Sequence, residues 1–77
     1  MKIHLKLIAT YREYLPPEKK GNAEIEVPNG ATAVSILTGL GIPIEESVIL
    51  VDGRSPKPGE PLQEGDVVFA FHASGGG

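Results

Sequence analysis

Hydrophobic and polar residues alternate in the first third of the chain, and a period of two is typical of β-strands. The alternation predicts one strand over Lys2–Ala9 and a second over Ala23–Val27. Two continuous apolar runs, Val48–Val51 and Val67–Phe71, predict two further strands. Turns that contain glycine or proline separate these segments, so each strand is expected to be short.

One segment has the period of a helix. Apolar residues recur three and four positions apart between residues 33 and 40. Thr32 is suited to cap the first turn of this helix, and Gly41 is suited to end it. We expect a single helical turn over Thr10–Leu15 and an irregular or 3₁₀ turn over Ile42–Ser47.

The order of these elements predicts an α+β fold in two layers. One main helix packs on one face of a mixed sheet of four to five strands. Because the first and last strands are both strongly apolar, we expect them to pair in the centre of the sheet. This is the pattern of a β-grasp, or ubiquitin-like, fold. We predict one domain over residues 1–72 and a flexible C-terminal glycine tail over residues 73–77.

The last strand is apolar on both faces, although one short helix covers only one face of a sheet. If Val68 and Ala70 point to the core, the two phenylalanines point outward. Phe69 and Phe71 would then form an exposed apolar patch with Ile8 of the first strand. The opposite alternation would bury Phe69 instead. We favour the outward arrangement, and patches of this kind mark interaction sites on small proteins.

Composition narrows the class of function. The chain has 77 residues, no cysteine and a formal net charge of −3 at pH 7. The lack of cysteine excludes disulfides, thiolate metal sites and cysteine nucleophiles, and the acidic balance argues against a nucleic-acid partner. There is no apolar run of membrane-spanning length and no signal-peptide pattern, so we expect a cytoplasmic protein without a membrane partner.

The side chains offer little for catalysis. His4 and His72 lie far apart in the sequence, and no third ligand accompanies them, so we expect no metal site. The serines lack the surroundings of an activated nucleophile, and no glycine motif is suited to hold phosphate. We therefore expect that the chain is not catalytic alone.

The C-terminal residues carry the remaining candidate chemistry. Gly75, Gly76 and Gly77 follow the last strand, and such a run is most often a flexible tail. The alternative is that the Gly77 carboxylate is itself the reactive group. Glycine has no Cβ, so the tail can thread a narrow channel. Adenylation with ATP would then make the carboxyl group reactive toward a sulfur donor or an amine.

Four segments in order carry a resemblance to a known family: Leu7–Pro16, Val51–Arg54, Pro61–Val68 and Gly76–Gly77. Over essentially its whole length the chain resembles the ubiquitin-like sulfur-carrier family. That family includes the small subunit of molybdopterin synthase and the sulfur carrier of thiazole biosynthesis. The segment that follows the first strand looks more like the molybdopterin branch than the thiazole branch.

The resemblance implies a β-grasp sulfur carrier that binds no cofactor itself. It implies that a ubiquitin-activating-like adenylyltransferase uses ATP to adenylate Gly77, and that the product becomes a thiocarboxylate. In the molybdopterin branch, the tail with Gly75 and Gly76 inserts into the large subunit of molybdopterin synthase. There it delivers sulfur to a pterin precursor of the molybdenum or tungsten cofactor.

The resemblance also implies a partner-binding surface. The apolar contact surface of the family falls here on Ile8, Leu62 and Phe71, and the alternation adds Phe69. Three alternatives stay open at this point. The chain could be a thiazole-biosynthesis carrier, a protein modifier joined to lysines through Gly77, or a plain interaction module with an inert tail.

Overall fold

The computed structural model describes residues 1–74 of the chain. In chain order, the strands and the helix are β1 (Lys2–Leu7), β2 (Asn22–Glu26), α1 (Ala33–Gly39), β3 (Ser47–Val51) and β4 (Val67–His72). Three short 3₁₀ segments lie between them, at Ala9–Tyr14, Pro17–Lys19 and Ile44–Glu46. The predicted α+β class and the order of its elements are confirmed.

The four strands form one mixed sheet in the order β2-β1-β4-β3. The central strands β1 and β4 run parallel, while β2 pairs antiparallel with β1 and β3 pairs antiparallel with β4. The predicted central pairing of the first and last strands is confirmed. No helix in the described part of the chain is long and apolar enough to cross a membrane.

The core lies between one face of the sheet and α1. Alternate positions of the central strands and one face of the helix supply its side chains, which include Ile3, Leu5, Leu7, Ala33, Leu37, Val68 and Ala70. Each larger apolar side chain buried in this way contributes about 1.5–3 kcal/mol to folding. Because Val68 and Ala70 are fully buried, the outward arrangement of the two phenylalanines is confirmed.

The helix α1 has the predicted caps. The Thr32 hydroxyl oxygen accepts a hydrogen bond from the Ser35 backbone N–H at 3.1 Å, and the Ser35 hydroxyl oxygen accepts one from the Thr32 N–H at 3.0 Å. This reciprocal pair satisfies two backbone donors at the start of the helix. At the other end Gly41 has a φ of 87°, a left-handed conformation that favours glycine.

The strand β1 ends two residues earlier than the alternation predicts. Ala9 has a φ of 55° and starts the 3₁₀ segment Ala9–Tyr14. The Tyr11 side chain in this segment is buried, and its hydroxyl oxygen lies 2.7 Å from the Ser47 hydroxyl oxygen. This core position was not predicted, because a single buried residue in a short irregular segment produces no periodic signal.

Gly21 holds the end of β1 beside the start of β2. Its carbonyl oxygen accepts a hydrogen bond from the Leu7 N–H at 2.7 Å. Its φ is 81°, and a Cβ at this position would collide with the Leu7 carbonyl oxygen and lie 2.7 Å from Arg12 Cγ. Glycine is therefore required both by backbone conformation and by space.

Candidate partner-binding surface and chain exit

The face of the sheet opposite α1 carries an apolar strip across three strands. The register of β3 and β4 pairs Phe69 with Leu50 and Phe71 with Val48. Ile8 continues the pairing of β1 with β4, because its N–H donates to the Ala70 carbonyl oxygen at 3.1 Å. We call these five residues the outer strip: Ile8, Val48, Leu50, Phe69 and Phe71.

The side chains of the outer strip are accessible to a partner. Ile8 is 42% exposed, and the other four members are half-buried. Within residues 1–74 no other helix or strand covers this face. Contiguous apolar side chains on such a face are typical of an interaction surface. The structure thus brings together the predicted Ile8, Phe69 and Phe71.

Val48 and Leu50 were not predicted as members of this surface. The run Val48–Val51 is apolar at every position, which is typical of a strand buried on both faces. The missed signal is the single helix of the fold. One helix covers one face of the sheet, so alternate residues of the run had to face away from it.

Polar residues border the outer strip on the side of β1 and β2. Lys6 is paired with Phe69 in the sheet register, and its Nζ lies 5.5 Å from the centre of the Phe69 ring. This is the geometry of a cation–π interaction. His4 lies on the same face and pairs with Glu24 of β2. The face is therefore apolar on β3 and β4 and charged on β2, which gives a docked partner a preferred orientation.

Leu62 does not belong to the outer strip, and the prediction of a surface position for it is wrong. Its side chain is 4% exposed and forms part of the core. Its N–H donates to the Ala31 carbonyl oxygen at 2.8 Å, and the preceding Pro61 pairs with Thr32. These contacts hold the segment beside the start of α1 and turn Leu62 inward. A periodic pattern could not reveal this, because the segment lies outside the regular strands.

The chain leaves the domain at the end of β4, next to the outer strip. Phe71 is the last strip residue of this strand, and His72 ends it. The Ala73 N–H donates to the Glu46 carbonyl oxygen at 2.8 Å. The Ser74 N–H donates to His72 Nδ1 at 3.1 Å. We call this segment, residues 72–74, the chain exit.

Three predicted site residues, Gly75, Gly76 and Gly77, lie outside the described residues. The predicted domain boundary between residues 72 and 73 stays a prediction. Gly77 lies five positions after His72 in the sequence, and a fully extended chain of five residues would span at most about 17 Å. This length limits how far from the outer strip a partner could hold its active site.

A groove of about 420 Å³ opens beside the chain exit. Its lining residues are Thr10, Tyr11, Glu13, Tyr14, Pro43, Glu46 and His72. The Tyr11 ring meets the Tyr14 ring edge to face at 5.6 Å and the His72 ring edge to face at 6.2 Å. Because Tyr11 is buried, this packing ties the His72 ring to the core.

Arg54 is engaged within the chain. Its Nη2 lies 2.6 Å from Glu60 Oε2, and its Nη1 donates to Glu60 Oε1 at 3.3 Å. This hydrogen bonding lowers the pKa of Glu60 to about 2 and raises the pKa of Arg54. Burial raises the pKa of the nearby Asp66, and the neighbouring Asp52 carboxyl raises it further. The contacts of Arg54 with Glu60 therefore stabilise its own loop, which does not favour a role for Arg54 in partner binding.

The sheet order, the single helix and the position of the chain exit define a ubiquitin-like protein. A family model described as Mut7-C ubiquitin matches residues 1–74, and the chain belongs to this family. No curated protein sequence matches the chain.

Two solved structures share the fold. A protein described as molybdopterin converting factor subunit 1, from Pyrococcus furiosus, has a TM-score of 0.73 at 24% identity, over 94% of this chain and 97% of that one. SAMP1 from Haloferax volcanii has a TM-score of 0.74 at 21% identity, over 100% of both chains. The predicted β-grasp fold is confirmed, and so is the predicted ubiquitin-like character of the chain. Likeness at these identities shows the fold, so the chemistry of this chain must be argued from its own residues.

Proposed function

We propose that this protein is a ubiquitin-like sulfur carrier that donates sulfur in the biosynthesis of molybdopterin. One observation carries the proposal. The uncovered outer strip lies beside the end of β4. After Phe71, residues 72–74 are followed in the sequence by three glycines. The surface suits docking to a partner, and the glycines suit entry into a narrow active site.

The proposed chemistry takes place at the Gly77 carboxylate. An oxygen of that carboxylate attacks the α-phosphorus of ATP, which releases pyrophosphate and leaves an acyl adenylate. Hydrosulfide from a sulfur source then attacks the acyl carbon, AMP leaves with the bonding electrons, and loss of the sulfur-bound proton gives a thiocarboxylate. Division of the reaction into two steps through a covalent intermediate makes each barrier lower. The chain contains no cysteine, and the proposal places the reactive sulfur on the Gly77 carboxyl group.

The carrier uses two partners in turn. A ubiquitin-activating-like adenylyltransferase binds the ATP and the outer strip, and the large subunit of molybdopterin synthase then receives the tail. Five residues of fully extended chain span about 17 Å. Each partner must therefore hold its active site within that distance of the strip. The expected cytoplasmic location belongs to the same proposal.

The proposal requires a free carboxylate at Gly77, whether translation or processing exposes it. The test is ATP–pyrophosphate exchange by an adenylyltransferase of this type from the same genome. We expect exchange that depends on the carrier and is lost when Gly77 is deleted, while thermal unfolding stays unchanged. Lack of exchange with the intact carrier would contradict the proposal. High-mass conjugates without a thiocarboxylate would point instead to a protein modifier.

The role of the outer strip has a matched control on the helix. Ile8 in the strip is 42% exposed, and Val34 on α1 is 45% exposed. Ile8→Asp should weaken binding to the adenylyltransferase about tenfold, because it places a charge in an apolar contact; tenfold corresponds to about 1.4 kcal/mol. Val34→Asp places the same charge at an equally exposed site away from the strip and should leave binding unchanged. If the two variants bind the adenylyltransferase with equal affinity, the outer strip is not its docking surface.

A further inference from the structure

We infer that His72 is a positioning residue that fixes the direction of the chain at its exit from the domain. It does so through hydrogen bonds to Ser74 and Glu46. The benefit to catalysis rests on the proposed function. The hydrogen bonds themselves can be tested on the free protein, so the two ideas can fail separately.

The contacts of His72 define its tautomer. A backbone N–H can only donate, so the ring nitrogen that faces the Ser74 N–H at 3.1 Å, Nδ1, must be the acceptor. The hydrogen of the neutral ring is then on Nε2, which lies 3.3 Å from Glu46 Oε1 and donates to it. The Ser74 hydroxyl lies 2.6 Å from Nδ1 and adds a second donor. Both nitrogens are thus occupied by specific partners.

The imidazole ring is itself held in place. Its edge-to-face contact with the buried Tyr11 ring supports one side, and the backbone of His72 pairs with Ser47 of β3. Glu46 contacts the chain exit twice. Its carbonyl oxygen accepts from the Ala73 N–H at 2.8 Å, and its carboxylate faces the ring. These contacts join the end of β4 to the segment that precedes β3, so Ser74 is held by a support that does not belong to the tail.

This arrangement favours entry of the tail into an active site. Ordering the backbone of a free residue costs conformational entropy. Because Ala73 and Ser74 are already held, a partner does not have to order these two residues when the chain enters its active site. Such pre-organisation favours binding and not the chemical step. Loss of the Ser74 hydrogen bond should therefore raise the carrier concentration needed for half-maximal adenylation and leave the maximal rate unchanged.

Two variants of the ring separate its two hydrogen bonds. The side-chain oxygen of asparagine lies near the position of Nδ1, so His72→Asn keeps an acceptor for the Ser74 N–H. The polar end of glutamine lies near the position of Nε2, so His72→Gln keeps a partner for Glu46 and loses that acceptor. We expect amide hydrogen exchange at Ser74 to be about fivefold faster in His72→Gln, as loss of one net hydrogen bond implies. His72→Asn should exchange like the wild type. Equal exchange in both variants would overturn the inference.

A second pair of variants changes residue 74, which lies outside β4, so the strand itself is not altered. Ser74→Ala keeps the backbone donor, and Ser74→Pro removes it. In the adenylation assay, Ser74→Pro and His72→Gln should raise the half-saturating carrier concentration about fivefold at an unchanged maximal rate. His72→Asn keeps the acceptor and should stay near the wild-type value. Ser74→Ala loses the hydroxyl bond but keeps the backbone donor, so it should be raised less than Ser74→Pro. Unchanged half-saturation in Ser74→Pro would refute the positioning role. If even the wild type is not adenylated, the proposed function fails, while the exchange measurement still decides on the hydrogen bond.

Discussion

Replacement of Gly21 by alanine should destabilise the domain severely. The left-handed φ of 81° costs an L residue about 1–2 kcal/mol. The new Cβ would also collide with the Leu7 carbonyl oxygen, which is backbone and cannot swing aside. Relief of that collision requires a shift of β1 against β2, which costs about 1–3 kcal/mol by analogy with overpacked cores. It also strains the hydrogen bond between Leu7 and Gly21. The expected loss is about 2–5 kcal/mol, a large part of the stability of a small domain.

Gly30→Ala is the matched control for Gly21→Ala. Gly30 has a φ of 92°, also left-handed, but no atom lies within 4 Å of its Cβ position. It should therefore lose only the conformational term, about 1–2 kcal/mol. Urea unfolding followed by circular dichroism measures both losses. Each kcal/mol corresponds to about 4–8 °C in melting temperature for a domain of this size. Equal losses in the two variants would show that the close approach at Gly21 is not real.

Three further predictions concern other parts of the fold. Leu62→Ala should lower the free energy of unfolding by about 2–5 kcal/mol because it opens a cavity in the core. A loss below about 1 kcal/mol in urea unfolding would show that Leu62 is not a core residue. Tyr11→Phe should cost about 1 kcal/mol, since it removes the hydrogen bond to Ser47 and keeps the buried ring; an unchanged urea midpoint would contradict that bond. The pKa of Glu60 is about 2 in the fold against 4.5 ordinarily, so its pairing with Arg54 stabilises the protein fully above pH 4.5 and is lost as the pH falls toward 2. The difference in the free energy of unfolding between the wild type and Glu60→Gln should therefore be smaller at low pH than at neutral pH. Added salt should reduce the difference at neutral pH, because the pair is exposed. A difference that grows on acidification would refute this pairing.

The regular elements were accessible to sequence analysis because burial imposes a period on them. Strict alternation from Ile3 to Leu7 reflects a strand with one face on the core, and the spacing from Ala33 to Leu40 reflects a helix on the same core. The caps at Thr32 and Gly41 followed from local backbone chemistry. Periodicity and caps depend on residues that are close in the sequence, so they can be recognised in a single sequence.

The parts that were missed depend on contacts between distant segments. Leu62 is turned inward by a hydrogen bond to Ala31, about thirty residues away, and no local pattern shows that. Tyr11 of the 3₁₀ segment is buried where its hydroxyl reaches Ser47 at the start of β3. Val48 and Leu50 face outward because a single helix leaves one sheet face uncovered. Each of these outcomes is a property of the assembled sheet.

The candidate site shows the same division. Phe69 and Phe71 were predicted because their strand is apolar on both faces and one helix covers only one of them. The hydrogen bonds at the chain exit could not be predicted from the sequence. His72 and Glu46 are far apart in sequence and meet because β4 pairs with β3. Neither histidine belongs to a spaced motif, so the position of His72 at the root of the tail became visible only in the fold.

Tandem mass spectrometry of the C-terminal peptide tests the sulfur-carrier proposal most directly. The protein is incubated with the adenylyltransferase, ATP and a sulfur donor, and cleavage before Asp66 releases residues 66–77. The proposal predicts a gain of about 16 Da on Gly77, where sulfur replaces a carboxyl oxygen, and no gain when ATP is omitted. A peptide of unchanged mass from a sample in which the acyl adenylate has formed would contradict it.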